Sequence, residues 1–191
     1  MEVLNTMDID KIVGYLNSGG IVSLPTDTIY GFSCLATDDT AISRLCKMKN
    51  RDDGKQFILL VSKFLELSEL IDVNDNVKSF INLHTPANLT MIVNKNKDVK
   101  LADIFELQTL AIRVPDNDFI QSVLDKVGYM VSTSCNVQGE PFINDYRGIM
   151  TAFPNIDAIV KSDSNQASPS TIVDLTGDGI KIVRQGDYII N

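Results

Sequence analysis

The chain has 191 residues, 44% of them hydrophobic and 22% charged, which is enough apolar material for one sizeable core. Its formal net charge of -8 excludes generic phosphate-backbone binding as a first reading, because that affinity comes from excess Lys and Arg. Apolar runs as short as "FILLV" exclude a transmembrane helix, and three cysteines without metal-ligand spacing beside a single histidine argue against a zinc site.

In chain order, "MEVLNTMDIDKIV" lacks a basic region followed by a long apolar stretch. No secretory signal is read, and the cysteines are expected to be free thiols in a reducing cytosol. "DIDKIVGYLNSGG" places Ile9, Ile12, Val13 and Leu16 at helical spacing and stops at Gly19 and Gly20. "IVSLP" predicts a buried strand ended by Pro25. "DDTAISRLCKMKN" predicts a helix with an acidic N-cap and a stripe of Ala41, Ile42, Leu45 and Met48. "QFILLVS" predicts a strand, "FLELSELI" and "DNVKSFINL" helices, and "NLTMIVN" and "LQTLAIRVP" strands. "NDFIQSVLDKVG" predicts a helix stopped by Gly128. "YMVSTS" predicts a strand, with a short helix near residues 145–152 after it. "DAIVKS", "STIVDL" and "IKIVRQG" predict strands. The succession implies an α/β (in stricter usage α+β) fold in one domain spanning 1–191. Its sheet is mixed, strongly twisted and of about seven strands, with helices on both faces, and is not doubly wound.

Polar residues gather at the ends of these strands. "IVSLP" leads into Thr26 and Thr28, and "TLAIR" ends in Arg113. "YMV" leads into Ser132, Thr133, Ser134 and Asn136, Ser170 and Thr171 open "TIVDL", and "IKIV" ends in Arg184. Lys47, Lys49, Arg51 and Lys55 cluster at the end of the second helix. Strand ends along one sheet edge can share a crevice, where hydroxyls hydrogen-bond and cations hold an anion. Each feature also has a structural reading: a solvated helix end for the cations, a Ser/Thr turn for "STSCN", and a cap for Thr26. Asp27, Asp38, Asp39, Asp52 and Asp53 could include a Mg²⁺ ligand or be solvated caps. No P-loop and no Gly-x-Gly-x-x-Gly fingerprint is present.

"GGIVSLPTDTIYGFSC", "KMKNRDDGKQFILLVS", "LAIRVP", "VSTSCNVQGEP" and "SPSTIVDLTGDGIKIVRQG" together resemble the successive motifs of the YrdC family, the threonylcarbamoyl-AMP synthases. The resemblance covers roughly residues 8–187. It implies a YrdC-like fold around a concave pocket. The implied reaction makes threonylcarbamoyl-adenylate and pyrophosphate from L-threonine, bicarbonate or CO2 and ATP, with Mg²⁺ accompanying ATP. It implies a cytoplasmic enzyme whose product a downstream tRNA threonylcarbamoyl-transferase uses for N6-threonylcarbamoyladenosine in tRNA.

By the same resemblance, Lys49, Arg51, Ser134 and Asn136 form a catalytic tetrad holding ATP phosphates and carbamate, and Lys55 and Arg184 contact the nucleotide. Thr26, Arg113, Ser132 and Ser170 bind L-threonine. The chain departs from the motifs at Asp27 (usually Glu), at Cys135 (usually Ala), in "KNRDDGKQ", which lacks two prolines, and in "LHTPANLT", where Thr90 remains. Its length resembles the short form of the family. Two further readings compete: an RNA-binding module without ATP turnover, and a carbamoyl-adenylate enzyme with another substrate.

Overall fold

The computed structural model describes residues 1–50, 57–63, 67–102, 108–162 and 168–190. Ten strands form one mixed sheet: β1 (Glu2–Leu4), β2 (Val22–Leu24), β3 (Gly31–Leu35), β4 (Ile58–Val61), β5 (Leu89–Asn94), β6 (Thr109–Arg113), β7 (Tyr129–Ser134), β8 (Ala158–Val160), β9 (Thr171–Asp174) and β10 (Lys181–Arg184). Their spatial order is β1-β8-β2-β3-β7-β4-β6-β5-β9-β10. The β1/β8, β2/β8, β4/β6 and β5/β9 pairs are parallel and the others antiparallel.

Ten strands exceed the roughly seven expected. β1 and β3 are the strands without a counterpart in the sequence reading. Three-residue β1 pairs with β8 alone, and β3 opens on Gly31 and carries Ser33, so neither shows an apolar run. The helix expected from "FLELSELI" is also corrected. Its described part is a 3-10 turn, Leu67–Glu69, followed by buried Leu70 and by Ile71, which bridges to Lys95.

Among the described residues five α-helices flank the sheet: α1 (Ile9–Asn17), α2 (Asp39–Lys49), α3 (Asp75–His84), α4 (Asp118–Val127) and α5 (Tyr146–Ala152). Short polar side chains start four of them. Asp38, Asn74, Asn117 and Asp145 each accept a hydrogen bond from a backbone N–H of the first turn. Helix α2 closes on Asn50 in the left-handed region, φ 50°, and α4 on Gly128, φ 79°.

Strand alternation sends side chains into two cores. Ile12 and Leu16 of α1 and Ile120, Val123 and Leu124 of α4 pack on Leu4, Val22, Leu24, Leu60, Met130 and Val160. On the opposite face α2, α3 and α5 cover Phe32, Leu59, Met91, Ile112, Val131 and Val173. Among the described residues, nothing from β5, β6, β9 or β10 joins the α1/α4 core, so helical cover on that face ends near β4. Met91 pairs with both Ile112 and Val173, all three facing the other core. Their chain neighbours Thr90, Arg113 and Ile172 therefore face the side that lacks helical cover among the described residues. Arg184 pairs with Ile172 and shares that side.

Candidate active site

A cavity of about 330 Å³ lies on this stretch of the sheet, which no described helix covers. Arg113, Arg184, Ser132, Ser134, Ser170 and Thr28 give it a polar lining, and Ile58, Phe142, Pro169 and Ile172 an apolar one. The fold thus brings five of the site residues expected from the sequence into one hollow, from strands β6, β7 and β10 and the approach to β9.

Arg113 ends β6 and is only 4% exposed. Its Nη1 donates to Thr28 Oγ1 at 2.9 Å and its Nη2 to Thr26 Oγ1 at 3.4 Å. Nη2 also lies 3.2 Å from Asp27 Oδ1. The Thr-Asp-Thr turn is itself braced, since Thr28 N donates to Thr26 Oγ1 at 3.1 Å and Asp116 N to Asp27 Oδ2 at 3.3 Å. Burial pushes the Asp27 carboxyl above the ordinary carboxylate range, opposed by the Arg113 charge, and burial lowers Arg113. Asp27 is therefore buried as the counter-ion of Arg113 and is not a solvated cap. Thr26 does not line the cavity and stands behind the arginine, while Thr28 reaches the lining.

Arg184 approaches from the far side. Its Nε and Nη2 donate to the Ser170 carbonyl at 3.0 and 2.7 Å, and Ser170 Oγ meets Thr90 Oγ1 at 2.8 Å. Burial first and the neighbouring Arg113 charge second lower Arg184, which stays cationic at neutral pH. No carboxylate lies within ion-pair distance of it among the described residues. Its charge is therefore available to an anion in the cavity.

Lys49 sits one layer deeper, 2% exposed, at the end of α2. Its ammonium donates to the Ser134 carbonyl, to the Asn136 carbonyl at 2.7 Å and to Asn136 Oδ1 at 2.9 Å, and lies 5.8 Å from the Phe32 ring centre. Ser134 Oγ donates to Asn136 Oδ1 at 2.6 Å, and Asn136 Nδ2 to the Glu140 carbonyl at 2.6 Å. Lys49 and Asn136 thereby fix the turn that presents Ser134 and do not themselves line the cavity. Arg51 and Lys55 lie outside the described residues.

The other chemical candidates are placed elsewhere. His84 meets Tyr188 Oη at 2.9 Å and packs on Phe80. Cys135 is wholly buried, and burial pushes its thiol up to about 12. Among the described residues no group of His, Cys, Asp or Glu could hold a metal ion, and no helix is long and apolar enough to cross a membrane. Among the lining residues, the sequence reading notes Thr28 as a strand-end hydroxyl without a ligand role and does not note Phe142 at all. The repeated hydroxyl of "PTDT" signalled the first, and nothing local signalled the second.

The family model described as "Sua5_yciO_yrdC: Telomere recombination" matches residues 14–186. The chain belongs to the Sua5/YciO/YrdC family. It is 31% identical over 182 residues to the "Uncharacterized protein YciO" of Escherichia coli, covering 93% of this chain and 88% of that one. The E. coli YciO crystal structure superposes with a TM-score of 0.85 at 27% identity, over 97% of this chain and 95% of that one. P. abyssi Sua5 complexed with L-threonine superposes at 0.89 with 21% identity, over 97% of this chain and 58% of that one. Full-length HypF in its phosphate- and nucleotide-bound form superposes at 0.80 with 20% identity, over 94% of this chain and 29% of that one. The chain thus spans little more than half of the Sua5 chain, and the likeness to Sua5 and HypF is one of fold.

Proposed function

We propose that this Sua5/YciO/YrdC-family protein is a threonylcarbamoyl-AMP synthase, making threonylcarbamoyl-adenylate and pyrophosphate from L-threonine, bicarbonate or CO2 and ATP. The observation that carries the reading is the pair of guanidinium groups, Arg113 and Arg184, opening into one hydroxyl-lined cavity. The L-threonine in the Sua5 relative and the nucleotide in HypF support it.

Arg113, oriented from behind by Thr26 and Thr28, receives the threonine carboxylate, and Ser132 and Ser170 meet the amino acid's polar atoms. Arg184 takes nucleotide phosphate. Ser134 Oγ donates its hydrogen bond to Asn136 Oδ1 and so presents lone pairs to the cavity. Arg51 and Lys55 add phosphate contacts. The threonine amine attacks the carbon of CO2, forming an N–C bond and releasing a proton. An oxygen of the resulting carbamate attacks the α-phosphorus, and pyrophosphate leaves with the electron pair of the broken P–O bond. No step needs a side-chain nucleophile, so the protein contributes positioning and charge. Mg²⁺ would accompany ATP as its chelate and screen the phosphate charge.

The experiment is ATP–pyrophosphate exchange with and without L-threonine and bicarbonate. Exchange that requires both supports the synthase. Exchange with another amine points to a carbamoyl-adenylate enzyme of different substrate. No exchange, with salt-sensitive RNA binding, points to the RNA module, which the net charge of -8 opposes.

A further inference from the structure

The cavity has a polar side explained by phosphate and amino acid, and an apolar side that neither explains. Phe142 stands on that side, 37% exposed and the most exposed phenylalanine among the described residues. A single exposed apolar residue is ordinary, but this one lines the same hollow as Ser134 and Arg184, with Pro169.

Its backbone is held in place. Ile143 N donates to the Cys135 carbonyl at 2.8 Å, and Tyr30 N donates to Asn144 Oδ1 at 2.8 Å. Ile143 packs against the core while its neighbour Phe142 turns to the cavity. The ring is thus presented from an anchored segment, which limits the ordering cost of stacking on it.

We propose that Phe142 is the stacking platform for the nucleobase of ATP. The proposal rests on the synthase reading, since it requires a nucleotide whose phosphates lie toward Arg184. Every base has a π-face, so the subsite recognises the presence of a base more than its identity.

The chain contains no tryptophan, so Phe142→Trp introduces a single tryptophan at the subsite, excited selectively over the five tyrosines. ATP is expected to quench its emission saturably, and inorganic triphosphate, which carries the charge without the base, is expected not to. In calorimetry Phe142→Ala should weaken ATP by roughly tenfold, as for loss of one base–aromatic stack, and leave triphosphate affinity unchanged. Thermal melting checks that the variant is folded. If the wild type binds ATP and folded Phe142→Ala binds it equally well, the platform is overturned and the synthase reading stands. If the wild type binds no ATP, both fall.

Discussion

Asp27 and Arg113 approach to 3.2 Å with their side chains 2% and 5% exposed, yet Asp27 Oδ1 and Arg113 Nε each lack a hydrogen-bond partner. A buried ion pair that leaves polar atoms unsatisfied is a poor stabiliser, and each such atom calls for an explanation. An arginine kept charged and incompletely matched is suited to exchange part of its interaction for a ligand carboxylate.

Asp27→Ala should therefore cost about 3 kcal/mol, because the Arg113 charge stays buried without its counter-ion. Saturating L-threonine should raise the melting temperature of this variant more than that of the wild type, since the ligand carboxylate replaces the lost anion. An equal or smaller rise would mean that Arg113 does not receive the carboxylate.

Gly186 follows β10 where the chain presses on the approach to β9. A Cβ there would lie 2.4 Å from the Pro169 carbonyl and 2.7 Å from Thr171 N, backbone atoms that cannot rotate away. Gly186→Ala should cost about 2 kcal/mol and weaken ATP binding, because Arg184 is held through the neighbouring Ser170. Gly177→Ala, which meets nothing within 4 Å, is the control. Urea denaturation and ATP titration of the two variants read the difference.

Lys49→Ala removes the donor shared by the Ser134 carbonyl, the Asn136 carbonyl and Asn136 Oδ1. Loss of this buried donor should lower stability by about 3 kcal/mol. The loosened Ser134 turn should slow adenylate formation by at least ~100-fold. Lys49→Arg should not restore the rate, because a planar fork cannot match three converging acceptors. Wild-type turnover in a folded Lys49→Ala protein would remove this residue from the account.

Cys135 is wholly buried with its thiol pushed up to about 12, so it should resist iodoacetamide in the native protein at pH 8 and label after unfolding. Cys135→Ala should keep the wild-type rate, measured as pyrophosphate release. A large loss would reopen a nucleophilic role for the thiol.

The elements that carry their own signals were legible in the sequence. For α4 both the helix and its stop at Gly128 were legible in the twelve residues "NDFIQSVLDKVG", and both appear in the fold. β3 was not legible because its order comes from β2 and β7 on either side, not from an apolar run of its own. The same division holds in the site. Arg113, Ser132, Ser134, Ser170 and Arg184 stand at or beside strand ends, where the pattern itself exposes polar residues. Asp27 was ambiguous because its meaning depends on Arg113, which reaches the same turn from 85 residues beyond Thr28. In the "STSCN" stretch Asn136 N bonds back to the Ser134 carbonyl as a turn does, and Ser134 also lines the cavity.

The most direct measurement supplies the protein with ATP, L-threonine and ¹³C-bicarbonate and analyses the products by mass spectrometry. The account predicts pyrophosphate and a threonylcarbamoyl-adenylate carrying one ¹³C. Pyrophosphate accompanied by unlabelled adenylate, or no turnover by folded protein with all three substrates present, would contradict it.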